Sequence, residues 1–125
     1  MILDYARRVH EAKQYAACSP AIRLCCEYIA THPQEKLGLS EMAKKAGYTK
    51  YHFSRKFQEE MHCTLTEYVQ ATKLERAKWY LTNTRESLEE ISLKLGYSSR
   101  GYFSDVFRRA TGMSPSGYRR EHSII

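Results

Sequence analysis

No apolar run in the 125 residues approaches the roughly 18 that would cross a membrane, and no hydrophobic signal core opens the chain. A membrane partner is therefore not expected, and the cytoplasm is the expected location. The four cysteines (Cys18, Cys25, Cys26 and Cys63) have no C-x-x-C spacing and no histidine at a zinc-site interval. They are expected to be reduced, half-buried small residues. There is no glycine-rich phosphate loop. Neither G-x-S-x-G nor H-E-x-x-H occurs, so no nucleophile is set beside a base and no histidine pair on a metal. The carboxylates fall mainly at helix starts or four residues from a basic side chain. These absences argue against an enzyme and against a metal or cofactor.

What the chain does have is positive charge and a repeat. The formal net charge is +6 with a pI near 9.2. Residues 1–20, 21–66, 67–83 and 84–125 carry +1, +2, +1 and +2, so the excess is spread over the fold and is not gathered in a basic tail. That distribution suits a surface laid along a polyanion.

The repeat organises everything else. Leu39-Ser-Glu-Met-Ala-Lys-Lys-Ala-Gly47-Tyr48 aligns without a gap on Leu88-Glu-Glu-Ile-Ser-Leu-Lys-Leu-Gly96-Tyr97. After one extra residue in the second copy, Phe53-Ser-Arg-Lys-Phe57 matches Phe103-Ser-Asp-Val-Phe107, and Thr64-Leu-Thr-Glu-Tyr68 matches Ser114-Pro-Ser-Gly-Tyr118. Two copies at a period near fifty are too few for a solenoid. Each reads as a short helix with one apolar side, a stop at Gly47 or Gly96, a cap at Thr49 or Ser98, and a second helix burying Phe53 and Phe57 or Phe103, Val106 and Phe107. That is a helix-turn-helix, present twice.

Taken in order, residues 1–19 form a lead-in or linker helix with a loose rhythm through Leu3, Ala6, Val9, Ala12 and Ala16, expected to continue from an upstream domain. Ser19-Pro20 opens the next helix, with Ser19 as cap and Pro20 in its first turn. Its buried stripe is Ile22, Cys25, Cys26 and Ile29, and His32-Pro33 ends it. Thr64 and Glu67 make a capping box that starts the longest helix, Leu65 to Asn83, about 28 Å at 1.5 Å per residue. Its apolar residues lie on two sides, as a helix shared by two subdomains requires. Trp79 is expected to be packed. Ser87 and Glu90 repeat the capping box, Ser114-Pro115 caps a last short helix returning Tyr118 to the core, and the end from Glu121 is expected to fray.

The ordered run Lys73-Leu74-x-x-Ala77-x-x-x-Leu81, Leu88-x-x-Ile91-x-x-x-x-Gly96-Tyr97, Phe103-x-x-x-Phe107 and Gly112-x-Ser114-Pro115-x-x-Tyr118 resembles the AraC/XylS family of bacterial transcription regulators. The likeness covers about Pro20 to Arg120. It implies an all-α, seven-helix, homeodomain-like tandem helix-turn-helix domain over 20–122, with subdomains 20–64 and 84–122 joined by helix 65–83. It also implies sequence-specific binding of double-stranded DNA, one recognition helix entering each of two successive major grooves, with RNA polymerase as a protein partner. Family members usually carry a separate sensing or dimerisation domain, which would lie upstream of these residues.

The first recognition helix, Lys50 to about Glu60, turns Lys50, Tyr51, Ser54, Arg55 and Gln58 away from its buried phenylalanines. Arginine can pair bidentately with guanine there, and the resemblance points to Tyr51, Ser54 and Arg55 for base contacts. The plainer reading of Arg55 is a solvated side chain bonded to Glu59, and His52 is read as structural. In the second helix, about Ser99 to Ala110, the counterparts are Gly101, Ser104, Asp105 and Arg108. Ser104 and Asp105 are the base candidates, Asp105 only by accepting from a cytosine amine unless Arg108 or Arg109 neutralises it. Thr49, Lys50, Gln58, Ser98, Arg100 and Arg108 are the phosphate candidates. A non-specific architectural binder and a protein-interaction module are the competing functions.

Overall fold

The structure is a computed structural model that describes residues 18–35 and 38–125. The expected lead-in helix lies outside these residues except for its last two. Seven helices occur among the described residues: α1 Pro20–Thr31, α2 Leu39–Ala46, α3 Lys50–Met61, α4 Leu65–Asn83, α5 Leu88–Lys94, α6 Arg100–Thr111 and α7 Pro115–His122. They divide into two compact units at Thr72/Lys73, within α4, and Pro33–Glu35 group with the second.

In the first unit, α1 buries the predicted stripe of Ile22, Cys25, Cys26 and Ile29. Met42 and Ala43 of α2, Phe53, Phe57 and Met61 of α3, and Leu65, Tyr68 and Val69 of α4 complete one core. Full burial of such side chains stabilises by roughly 1.5–3 kcal/mol each. Cys25, Cys26 and Cys63 are buried, and all four described cysteines are free thiols. Burial pushes Cys25 up to about 12 and Cys63 up to about 11, so both stay protonated and inert at neutral pH. Cys25 Sγ contacts Met42 Sδ at 3.4 Å and Cys18 Sγ contacts Met61 Sδ at 3.7 Å, both as core packing.

Ser19 occupies the N-cap position of α1, yet its hydroxyl makes no capping bond. Its backbone N–H instead donates to Glu60 Oε1 at 2.7 Å. Burial raises the Glu60 carboxyl, but this bond and Lys56, 3.2 Å away, outweigh it and hold the group below its ordinary value.

The second unit repeats the pattern with Leu81, Ile91, Leu95, Tyr97, Phe103 and Phe107 in its core. Two predicted reciprocal caps are present: Thr64 with Glu67 at 2.9 and 3.1 Å, and Ser87 with Glu90 at 3.0 and 3.1 Å. Ser114 accepts from the Gly117 amide at the start of α7, as expected. The chain end does not simply fray, since α7 continues to His122 and the Ile124 amide donates to the Thr82 carbonyl at 3.0 Å.

Arg119 reaches the C-terminus of α4. It donates through Nε to the Leu81 carbonyl at 3.1 Å and through Nη2 to the Thr84 and Tyr80 carbonyls at 3.2 and 3.4 Å. The last carbonyls of a helix lack intrahelical partners and carry partial negative charge, so a guanidinium satisfies both needs. Trp79 corrects another expectation. It is 57% exposed, with its ring edge-on to Tyr80, and belongs to no core.

Candidate nucleic-acid interface

Both turns are built by the same bonds. Gly47 has φ 78° and Gly96 has φ 77°, a left-handed backbone that glycine adopts without a Cβ penalty. The Tyr48 amide donates to the Ala43 carbonyl at 2.9 Å, and the Tyr97 amide to the Ser92 carbonyl at 2.9 Å. These are six-to-one closures of a helix C-terminus. Each closure fixes where the following helix begins.

Thr49 then caps α3, its Oγ1 accepting from the His52 amide at 3.1 Å. In the second unit the cap is Ser99 and not Ser98: Ser99 Oγ accepts from the Tyr102 amide at 3.0 Å. The extra residue of the second copy therefore sits in the turn ahead of the cap. Ser98 lies one residue before the cap, two before α6, and is exposed. Counted from their caps, the two helices are in register: Lys50 with Arg100, Tyr51 with Gly101, His52 with Tyr102, and Arg55 with Asp105.

A ladder of rings holds each helix from behind. Tyr48, Phe53, Phe57 and Tyr68 follow at centroid separations of 6.4, 6.1 and 5.7 Å. Tyr97, Phe103, Phe107 and Tyr118 follow at 5.3, 5.9 and 5.4 Å. With these rings inward, the outer face of each helix is settled by its 3.6-residue turn. On α3, Lys50, Tyr51, Arg55 and Gln58 are exposed and Ser54 is half-buried. Tyr51 is 75% exposed. Arg55 Nε lies 3.8 Å from Glu59, and both side chains are about two-thirds exposed. Such a surface pair contributes little and does not tie up the guanidinium. On α6, Arg100, Gly101, Asp105 and Arg108 are exposed and Ser104 is half-buried. Among the described residues no ion pair neutralises Asp105.

The structure thus gathers Thr49, Lys50, Tyr51, Ser54, Arg55 and Gln58 on one helix face and its cap. It gathers Arg100, Ser104, Asp105 and Arg108 on another, with Ser98 just before it. Two exposed rings were not among the candidates. His52 packs on Tyr48 at 4.7 Å, and Tyr102 stands edge-on to Tyr97 at 5.9 Å. Their shared signal was the aromatic three residues after each cap, visible only once the extra residue is assigned to the turn. Burial pushes the Tyr97 hydroxyl up to about 12 and lowers Lys73, whose ammonium lies 5.3 Å from the Tyr97 ring centre.

No group of histidine, cysteine and carboxylate side chains among the described residues has the arrangement of a metal site. No described helix is long and apolar enough to cross a membrane.

A family model described as a helix-turn-helix domain matches residues 42–121. The chain is 38% identical over 98 residues to the regulatory protein SoxS of Salmonella typhimurium, a match covering 78% of this chain and 92% of SoxS. It is 31% identical over 124 residues to an uncharacterised HTH-type transcriptional regulator of Staphylococcus aureus, covering 99% of this chain but 17% of that protein. The chain therefore spans about one sixth of that relative's length. Among solved structures, the C-terminal domain of AraT, a response regulator from Geobacillus stearothermophilus, superposes with a TM-score of 0.81 at 30% identity, covering 86% of this chain and 89% of that one.

Proposed function

The chain belongs to the AraC/XylS-type helix-turn-helix family, whose members are DNA-binding transcription regulators and not enzymes, and from that premise we propose that its two units divide the work on one operator. The first unit reads sequence and the second chiefly grips the backbone. Tyr51, Ser54 and Arg55 of α3 meet base edges in the major groove, with Arg55 on a guanine. Thr49, Lys50 and Gln58 flank them on phosphates. In the next groove Ser98, Arg100 and Arg108 hold phosphates, and Ser104 and Asp105 face the bases with little to read them by.

The observation that supports this division is the difference between two faces of equal register: a large ring and a guanidinium on α3, bare backbone and a carboxylate on α6. Phosphate contacts position a protein without specifying sequence, whereas base-edge pairs specify. The domain acts in the bacterial cytoplasm, under an upstream sensing or dimerisation domain, and communicates with RNA polymerase.

Binding measured against salt tests this. Each phosphate neutralised by a basic side chain lowers log K by about 0.9 per tenfold rise in salt, so affinity is expected to fall at least tenfold between 50 and 200 mM. A binding-site selection is expected to return sharp preference in one half-site and weak preference in the other. Binding that ignores salt, or a selection with no consensus, overturns the reading.

A further inference from the structure

Gly101 occupies the centre of the outer face of α6, the position that Tyr51 fills on α3. Nothing in the fold of the second unit calls for glycine there. The left-handed glycines among the described residues are Gly47, Gly96 and Gly112, so Gly101 has ordinary helical backbone. A Cβ added to it would meet only Ser99 Oγ, at 4.0 Å, which is ordinary contact. Within a helix, glycine is also less stabilising than alanine, because it loses more backbone freedom on folding. Packing and conformation would both accept a side chain. Glycine's remaining use at an exposed position is to let another molecule come close to the backbone.

Tyr102 stands beside this gap. It is 48% exposed, yet its backbone and one side of its ring are held. Its amide is fixed by the Ser99 cap at 3.0 Å, its ring lies edge-on to Tyr97 at 5.9 Å, and Tyr97 is itself buried against Phe103. A tyrosine whose ring is packed on one side presents its hydroxyl with less rotamer freedom left to lose than a fully solvated one. On the helical wheel it flanks the Gly101–Asp105–Arg108 face, where a duplex lying against that face brings its sugar-phosphate strand.

We propose that Gly101 is a notch that lets the duplex settle close against α6, and that Tyr102, at the rim of that notch, donates its hydroxyl to a phosphate of the strand bordering the groove. The inference rests on the DNA reading above and deepens it. The second unit would then sense the path of the strand through fit, with the tyrosine hydroxyl as a neutral donor beside the arginines.

The experiment uses the intact chain and the duplex that it selects from a randomised pool, with Kd measured from 50 to 200 mM salt and stability measured by urea unfolding. Gly101→Ala is expected to be at least as stable as the unmodified chain, while its Kd rises by about tenfold, the scale of one hydrogen bond to a charged group. A merely structural glycine would not separate the two readouts in that direction. Tyr102→Phe keeps the ring and is expected to raise Kd by about tenfold with an unchanged salt slope, because a neutral donor displaces no counterion. Gly101→Ala with Kd within about twofold of the unmodified chain overturns the notch. Tyr102→Phe with unchanged Kd overturns the phosphate contact. An unmodified chain that selects no duplex overturns the underlying DNA reading, and this inference with it.

Discussion

Tyr48, Phe53, Phe57 and Tyr68 in the first unit and Tyr97, Phe103, Phe107 and Tyr118 in the second form the same ladder of rings. The faces in front of those ladders keep a cation at Lys50 and Arg100 and a serine at Ser54 and Ser104, but differ elsewhere: Tyr51 and Arg55 on one, Gly101 and Asp105 on the other. A close-packed ladder tolerates little change, since each inner ring touches one on either side and the space between them is filled. A side chain on the outer face touches few neighbours, so what stands there is free to follow the ligand. Similarity behind the recognition helix and divergence in front of it are therefore the expected marks of one scaffold used for two kinds of contact.

The sharpest departure inside the scaffold is at the turn glycines. A Cβ on Gly47 would meet nothing within 4 Å, whereas one on Gly96 would fall 2.5 Å from the backbone carbonyl oxygen of Gln34. Both substitutions suffer the left-handed penalty, but only Gly96→Ala must also displace main chain. Gly96→Ala is expected to cost about 3 kcal/mol and Gly47→Ala about 1 kcal/mol in urea unfolding. Equal losses would mean that the Pro33–Glu35 segment yields freely.

A smaller effect separates the two outer faces. Arg55→Ala is expected to weaken binding by about 1–3 kcal/mol and to relax preference at one base pair of the first half-site. Arg108→Ala is expected to weaken binding to all sequences alike and to lower the salt slope by about one. Asp105→Ala is expected to leave affinity unchanged or to raise it. Site selection repeated with each variant would break the comparison if Asp105→Ala erased a cytosine preference while Arg55→Ala changed none.

The smallest effect lies at the ends of the recognition helices. His62 ends α3 at φ 63° where Gly112 ends α6 at φ 81°, and each amide closes its helix on the residue four back, at 2.9 and 2.8 Å. A side chain in that region is strained, so His62→Gly is expected to stabilise by up to about 1 kcal/mol and Gly112→His to destabilise by a similar amount. Thermal melts of the two variants should move in opposite directions.

Which of these features could be read from the sequence follows from how far apart their partners lie. The reciprocal caps at Thr64–Glu67 and Ser87–Glu90 close within four residues, and the stripe of Ile22, Cys25, Cys26 and Ile29 is a matter of helical period. Both were legible, as were the limits of α4 and the pairing of Tyr68 with Tyr118. The cap of α6 was misplaced by one because an inserted residue can lie on either side of a serine when two serines adjoin. Ser19 looked like a cap by type, but its amide is taken by Glu60, 41 positions away. The exposure of Trp79 was not legible, because nothing in its neighbours betrays that its side of α4 is open. The outer faces of α3 and α6 followed from the phenylalanines behind them. The braced position of Tyr102 did not, because it depends on the cap that was misassigned.

Arg119 has a consequence for the order in which this protein can take shape during synthesis. Its partners, the carbonyls of Tyr80, Leu81 and Thr84 at the end of α4, leave the ribosome at least 35 residues before it does. At 5–20 residues per second that interval is about 2–7 s. Throughout it the first unit already has all of its core residues, while the end of α4 lacks its closing partner. Nascent chains halted before Arg119 would therefore hold every core residue of the first unit while the carbonyls of Tyr80, Leu81 and Thr84 still lacked this guanidinium.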